Sequence, residues 1–177
     1  MAHANGLQGR MNAAFDNYFA VSDILREDLD ELRKNQNATQ YWKRTFVRSS
    51  AALFEGYTHC LSEICAISFE CIAPELTKKE ADALRSESKL GTNDRVRLTL
   101  RAAYRLFELS PAPDFGEKGW IRAQRAFDKR HSLMHPKTSD DLVVDEAYWI
   151  EIREGVSWLL TQFVRFFVLL QAKLHAN

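Results

Sequence analysis

Arg130 and His135, with His131 between them, are the residues of this chain best suited to chemistry, in the run Arg130-His131-Ser132-Leu133-Met134-His135-Pro136. A guanidinium is a planar, permanently charged fork that fits phosphate oxygens two at a time. An imidazole gains and loses a proton near neutral pH, which suits general acid–base work. Held together, the two could bind a phosphodiester and move its proton without a metal. On an ideal helix, five positions advance roughly 500° and leave Arg130 and His135 ~140° apart. They converge only if the last turn loosens, which Pro136 favours. His131 and His135 are four apart and share a face. Two plainer readings stand beside this one. Cations gather at helix C-termini because the macrodipole favours them there. A zinc pair at His131 and His135 would need Asp140 or Asp141 as a further ligand. No metal and no cofactor are expected.

The elements that must position these residues are helical. Long stretches without breakers carry apolar residues three and four apart. A first helix is expected from about Met11 to Arg33, with Phe15, Tyr18, Phe19, Ile24, Leu25, Leu29 and Leu32 as its apolar stripe. A second runs from about Gln40 to Ile72 on a seam of Phe46, Leu53, Tyr57, Leu61, Ile64 and Cys71, and Pro74 closes it. Thr77 and Glu80 have capping-box spacing and open a short helix to about Glu87. Thr92 or Asn93 is the expected N-cap of a fourth helix, from about Asp94 to Leu109. After the loop from Ser110 to Gly116, a fifth helix spans about Glu117 to His135, with Trp120, Ala123, Phe127 and Met134 on one side. Pro136 stops it by pushing His135 out of helical geometry. Leu142-Val143-Val144 reads as an extended apolar plug, and Asp145 caps a last helix to about Leu174.

At 177 residues the chain is read as one domain, 1–177, with an N-terminal helix in 1–38 and a bundle in 40–174. Charged residues at 27% and hydrophobic ones at 46% exclude a disordered or fibrous class. Formal net charge is zero, so any affinity for a polyanion must come from local clustering. Cys60, Cys65 and Cys71 match no zinc spacing and read as buried, reduced thiols of a cytoplasmic protein. No leader is expected at the N-terminus. The segment from Val156 to Ala172 is broken by Thr161, Gln162 and Arg165 and reads as a buried helix, with no membrane partner.

Two cationic stripes are candidates for RNA binding. Arg97, Arg101 and Arg105 recur every four residues on the fourth helix, and Arg122, Arg125 and Lys129 line the fifth just before the motif. Lys137 follows it. Acidic residues gather instead in the first helix and from Asp140 to Glu154, so sorted charge could give a basic groove. Glu55 is a candidate to orient Arg130 or His131 from behind. Trp42, Trp120, Trp149 and Trp158 are read as core or dimer contacts.

The pattern Arg-polar-x-x-x-His followed by Pro-Lys resembles the signature of the HEPN superfamily (higher eukaryotes and prokaryotes nucleotide-binding domain). The helix from Tyr41 and Trp42 through Arg48, Glu55 and Gly56 to Tyr57 is similar to the early helix of small bacterial members. So is the passage from His135 through Asp140 and Asp141 to Asp145, and the likeness covers roughly Gln40 to Ala172. It implies an all-α, up-and-down bundle of about five to six helices and a homodimer with facing motifs. In active members it implies metal-independent endoribonuclease activity, with Arg130 and His135 at the two motif positions and His131 at the polar one. RNA supplies its own nucleophile, the 2′-OH, and positioned charge can lower such a barrier by about 3–4 kcal/mol. Some toxin members carry a tyrosine shortly after the histidine, where this chain has Lys137, a departure from that subgroup. Inactive members serve as interaction or RNA-binding modules, which gives the alternative expectation, with an antitoxin or a nucleotidyltransferase as partner. Roles in phage defence or stress response accompany the family.

Overall fold

Phe46, Leu53, Tyr57, Leu61 and Ile64 are all buried, as a single helical seam requires. They belong to one of six α-helices in the structure, a computed structural model that describes residues 2–34, 39–70, 75–85 and 89–176. In chain order the helices are α1 (Ala2–Arg33), α2 (Gln40–Phe69), α3 (Lys78–Ala83), α4 (Thr92–Leu106), α5 (Lys118–Met134) and α6 (Glu146–Ala176). A short 3₁₀ helix, Ser139–Leu142, lies between α5 and α6. There is no strand among the described residues, and the fold is an all-α helical bundle.

The described chain falls into two compact units. The first gathers Met1–Ser22, Glu55–Pro113 and Phe163–Asn177; the second gathers Asp23–Phe54 and Asp114–Gln162. The core of the first unit is aromatic. Tyr18 and Phe163 each lie 5.3 Å from the Tyr57 ring, and Tyr104 lies 5.7 Å from Phe166. The Tyr57 hydroxyl shares a 2.7 Å hydrogen bond with that of Ser22, so its polar end is satisfied within the core. Arg10 grips Glu70 with both guanidinium arms, at 2.8 and 3.0 Å.

The second unit carries the motif helix. Phe46 meets Trp149 edge-on at 4.9 Å, and Phe54 meets Phe127 at 6.1 Å. The Gln40 side chain donates to the Val144 carbonyl at 2.9 Å and accepts from its N–H at 2.8 Å, which fixes the chain just before α6. Lys43 is only 6% exposed, yet its ammonium reaches Glu146 at 2.6 Å and lies over the Trp149 ring. The first-turn carboxylate of α6 thus neutralises a lysine whose stem packs in the core.

Several element ends differ from expectation. Helix α1 starts at Ala2 rather than near Met11, although residues 2–10 carry no apolar stripe and include Gly6 and Gly9. Within the stripe, Phe19 and Ile24 are exposed. The N-cap of α4 is Gly91, neither Thr92 nor Asn93. That helix ends at Leu106, three residues early, because Glu108 takes a left-handed φ of 48°. The amides of Glu108 and Leu109 then bond back to the carbonyls of Arg105 and Tyr104, the pattern usually closed by glycine. Lys173 braces this turn by donating to the Phe107 carbonyl and to Glu108, whose carboxyl it holds below the usual range. The predicted plug reduces to Val144: Leu142 ends the 3₁₀ turn and Val143 is exposed. Thr77 and Glu80 do form the reciprocal capping box, but the helix it opens stops at Ala83. Asp145 caps α6 by accepting from the Tyr148 amide at 2.8 Å. Cys60 and Cys65 are free and buried, and burial pushes both thiols up. Cys71, Ile72, Pro74 and Glu87 lie outside the described residues.

From Glu146 to His175, α6 is long and apolar enough to cross a membrane, judged by length and composition alone. Its buried face supplies Trp149, Ile152, Val156 and Leu159 to the second unit, and Phe163, Phe166 and Leu170 to the first.

Two glycines let α5 and α6 approach closely. A Cβ on Gly155 would stand 2.3 Å from the backbone of Arg122 and Ala123, and one on Gly119 would stand 2.2 Å from the Trp158 ring. Backbone cannot yield, whereas a half-buried indole can turn aside. Gly155→Ala should therefore lose about 1–3 kcal/mol in urea unfolding. Gly119→Ala should lose less, because the clash there is with a side chain that can move, while the gain in helix propensity applies at both positions. Equal losses at both positions would contradict this account of the contact.

Candidate functional site

Helix α5 keeps its regular geometry through Met134, and His135 leaves it at φ −132° and ψ 59°. Proline at position 136 accounts for this, since its ring excludes the α conformation from the residue before it. The His135 amide still reaches the His131 carbonyl at 3.1 Å, so the turn closes without continuing. The loosening expected at the last turn is thus confined to His135. The result is a pair of exposed imidazoles, His131 and His135, with ring centroids 5.2 Å apart and planes tilted by 55°. Arg130 precedes this pair on the same turn and is half-buried. Trp120, Ala123 and Phe127 are buried on the inner side of α5, as expected, but Met134 is 49% exposed beside the histidines.

Two further elements hold the end of α5. Arg48 of α2 donates to the Leu133 carbonyl at 3.3 Å, serving one of the last carbonyls, which have no partner within the helix. Beyond Pro136, the Asp141 carboxylate accepts from the amides of Lys137 and Thr138 at 2.8 and 3.0 Å. These bonds, that of Lys137 first, hold the Asp141 carboxyl below its ordinary range, and Lys129 adds to the effect. The loop after the motif is thereby tied into a capping box at the 3₁₀ turn.

The cationic residues are placed in different ways. Arg122 and Arg125 on α5 form ion pairs with Glu154 and Glu151 on α6, so their charge is largely compensated. The Tyr148 hydroxyl donates to the Arg125 carbonyl at 3.2 Å across the same seam. Lys129 borders an open cleft of about 480 Å³ with Asp128, Asp140 and Asp145, a wall that repels rather than attracts phosphate. Lys137 is exposed. The α4 stripe belongs to the other unit: Arg97 pairs with Asp94 at 2.7 Å, Arg105 lies 3.5 Å from buried Glu80, and Arg101 is exposed. Glu55 also belongs to that unit, where the Thr92 hydroxyl donates to it at 3.4 Å. Trp120 and Trp149 are buried core residues, while Trp42 is exposed; Trp158 is half-buried and donates to Glu117 at 3.0 Å. Among the described residues no three His, Cys, Asp or Glu side chains are grouped to hold a metal, so the zinc reading of His131 and His135 gains no third ligand.

Sequence reasoning missed Arg48 as the residue that caps the motif helix and Gly155 as the residue that seats it. A glycine inside a helical pattern was the available signal for the second.

A carboxyl depressed by native hydrogen bonds stabilises the fold above its unfolded pKa, and that contribution fades as pH falls through the folded value. For Asp141 the contribution is complete above about pH 4, the ordinary aspartate value, and is lost below it. In an NMR titration the Asp141 carboxyl should have its midpoint below that value. In Asp141→Asn the amides of Lys137 and Thr138 should exchange with solvent faster than in the parent at neutral pH. Unchanged exchange would mean that the carboxylate does not hold the loop. In comparisons with known proteins, no family model, no curated protein and no solved structure matches this chain.

Proposed function

We propose that the chain is a metal-independent endoribonuclease of the HEPN type, with Arg130, His131 and His135 as its reacting groups. The observation that carries the proposal is the pair of exposed imidazoles 5.2 Å apart at an exposed helix end, directly after Arg130 in sequence. Transesterification of RNA needs one group to take a proton and another to give one. In this reading, neutral His135 removes the proton from a ribose 2′-OH, and the oxygen attacks the adjacent phosphorus. The P–O5′ bond breaks, and the departing oxygen takes a proton from the protonated His131. The products are a 2′,3′-cyclic phosphate and a 5′-hydroxyl. Arg130 holds the non-bridging oxygens as charge builds on them. A homodimer would bring a second copy of the same set, allowing the acid and the base to come from different chains.

An exposed site suits a polymer, which cannot enter a closed cavity, and the tie from Asp141 gives the loop behind the motif a defined shape.

The second reading is a module that binds RNA or a protein partner without turnover. The ion pairs of Arg122 and Arg125 favour its protein-binding form, because they leave fewer cations on α5 for a phosphate backbone.

The deciding experiment is cleavage of single-stranded and hairpin RNA in the presence of EDTA. The parent protein should produce cyclic phosphate ends, while Arg130→Ala and His135→Ala should each be slower by about 10²–10³-fold. Undiminished cleavage by either variant would remove that residue from the mechanism. Binding by the parent without cleavage, weakening steeply with salt, would establish the second reading instead.

A further inference from the structure

The first unit contains a cavity of about 380 Å³ with a mixed polar and apolar lining, distinct from the histidine motif. That volume is within the range of small-molecule sites. Glu55, Thr58 and Ser62 of α2 line it, together with Arg85 and with Thr92 and Arg95 from the first turn of α4. Three features of this wall point to a ligand.

The first is Thr58. It is 1% exposed, and its Oγ1 has no hydrogen-bond partner. On the same helix Ser50 and Ser68 bond back to the carbonyls four residues earlier, at 2.7 and 3.0 Å, as hydroxyls within helices commonly do. Thr58 forgoes that bond. A buried hydroxyl left in this state is destabilising, a penalty that a ligand able to bond with it would remove.

The second feature is the balance of charge. Arg85 and Arg95 bring two guanidinium groups to a wall that also holds the Glu55 carboxylate. Arg95 donates to the Arg85 carbonyl at 3.3 Å, so the two arginines are tied through the backbone. Arg85 pairs with Asp82 at 3.6 Å, but both side chains are exposed and three residues apart. Pairs of that kind are weak enough to be exchanged for a better acceptor.

The third is the start of α4. Its N-cap, Gly91, offers no side-chain acceptor to the first turn, and the positive end of the helix dipole borders the cavity at Thr92 and Arg95. An anion is favoured there. The Thr92 hydroxyl reaches Glu55 only at 3.4 Å, a long bond that a ligand hydroxyl could replace.

We infer that this cavity binds a small hydroxylated phosphomonoester. Its phosphate lies between Arg85, Arg95 and the start of α4, and its hydroxyls bond with Glu55 and Thr58. The two guanidinium groups match a phosphate dianion, and a carboxylate beside them selects against a bare anion in favour of one that also carries donors. The inference does not depend on the ribonuclease reading, since it uses none of that motif's residues.

The probes are glycerol 3-phosphate, inorganic phosphate and glycerol, titrated into the full chain by calorimetry and followed by phosphorus NMR. Glycerol 3-phosphate should bind with a Kd of roughly millimolar or tighter, inorganic phosphate about tenfold more weakly, and glycerol not measurably. Arg95→Gln should weaken both phosphate probes by about tenfold, whereas Glu55→Gln should remove only the advantage of glycerol 3-phosphate over phosphate. Without ligand, Thr58→Val should melt at a higher temperature than the parent, because it removes the unsatisfied hydroxyl while keeping the shape. Melting curves establish that each variant is folded. Arg130→Ala should leave every one of these values unchanged. The inference is overturned if neither phosphate probe binds, or if both bind equally well to the parent and to folded Arg95→Gln and Glu55→Gln, the mark of non-specific anion binding.

Discussion

The geometry of the second unit depends on one close contact, where Gly155 of α6 meets the backbone of Arg122 and Ala123 on α5 with no side chain between them. Any Cβ at that point would drive the helices apart, so glycine fixes how near they run. Nearness then settles the electrostatics of the seam. Arg122 and Arg125 are brought onto Glu154 and Glu151, and the Tyr148 hydroxyl onto the Arg125 carbonyl. Each exposed ion pair adds little stability alone. Together they neutralise the positive charge of the middle of α5.

That last turn is defined from three directions. Proline ends the helix from beyond, Arg48 serves the Leu133 carbonyl from α2, and Asp141 draws the following loop into a capped turn. None of these contacts uses an imidazole. The backbone under His131 and His135 is held while the rings stay open to solvent. Preorganised backbone with accessible side chains is the arrangement expected where a large substrate must reach the reacting groups. The cavity of the first unit differs, with buried Thr58 and half-buried Glu55, Thr92 and Arg95 beside a space sized for a small molecule.

Much of the fold was legible because apolar periodicity is a local property. The α2 seam, the Asp145 cap, the Thr77–Glu80 box and the stop at Pro136 all follow from residues close in sequence. What escaped was set by contacts far along the chain. Helix α4 ends early because Lys173, some sixty-five positions away, stabilises a left-handed Glu108. The charge of the α5 stripe could not be judged without knowing that α6 would present carboxylates to it. The pairing of His131 with His135 was legible from their spacing. Angular arithmetic on an ideal helix also separated Arg130 from His135, and it gave no means to see that the deviation would be confined to the final residue.

Exposure sets a limit on what Arg130, His131 and His135 can do in an isolated chain. Two unit charges 4 Å apart attract by about 1 kcal/mol in bulk water and by about 4 kcal/mol at the lower effective dielectric near a protein surface. The several kcal/mol that a positioned guanidinium contributes to phosphoryl chemistry belong to sites from which water is excluded. At the exposed end of α5, such exclusion must come from whatever covers it. A bound RNA strand would cover it in part, and a second copy of the chain more completely, with the exposed Met134 as an apolar contact beside the imidazoles. In the proposed reading, reactivity at this site belongs to an assembly, and RNA cleavage should rise with the fraction of chains whose motif is covered.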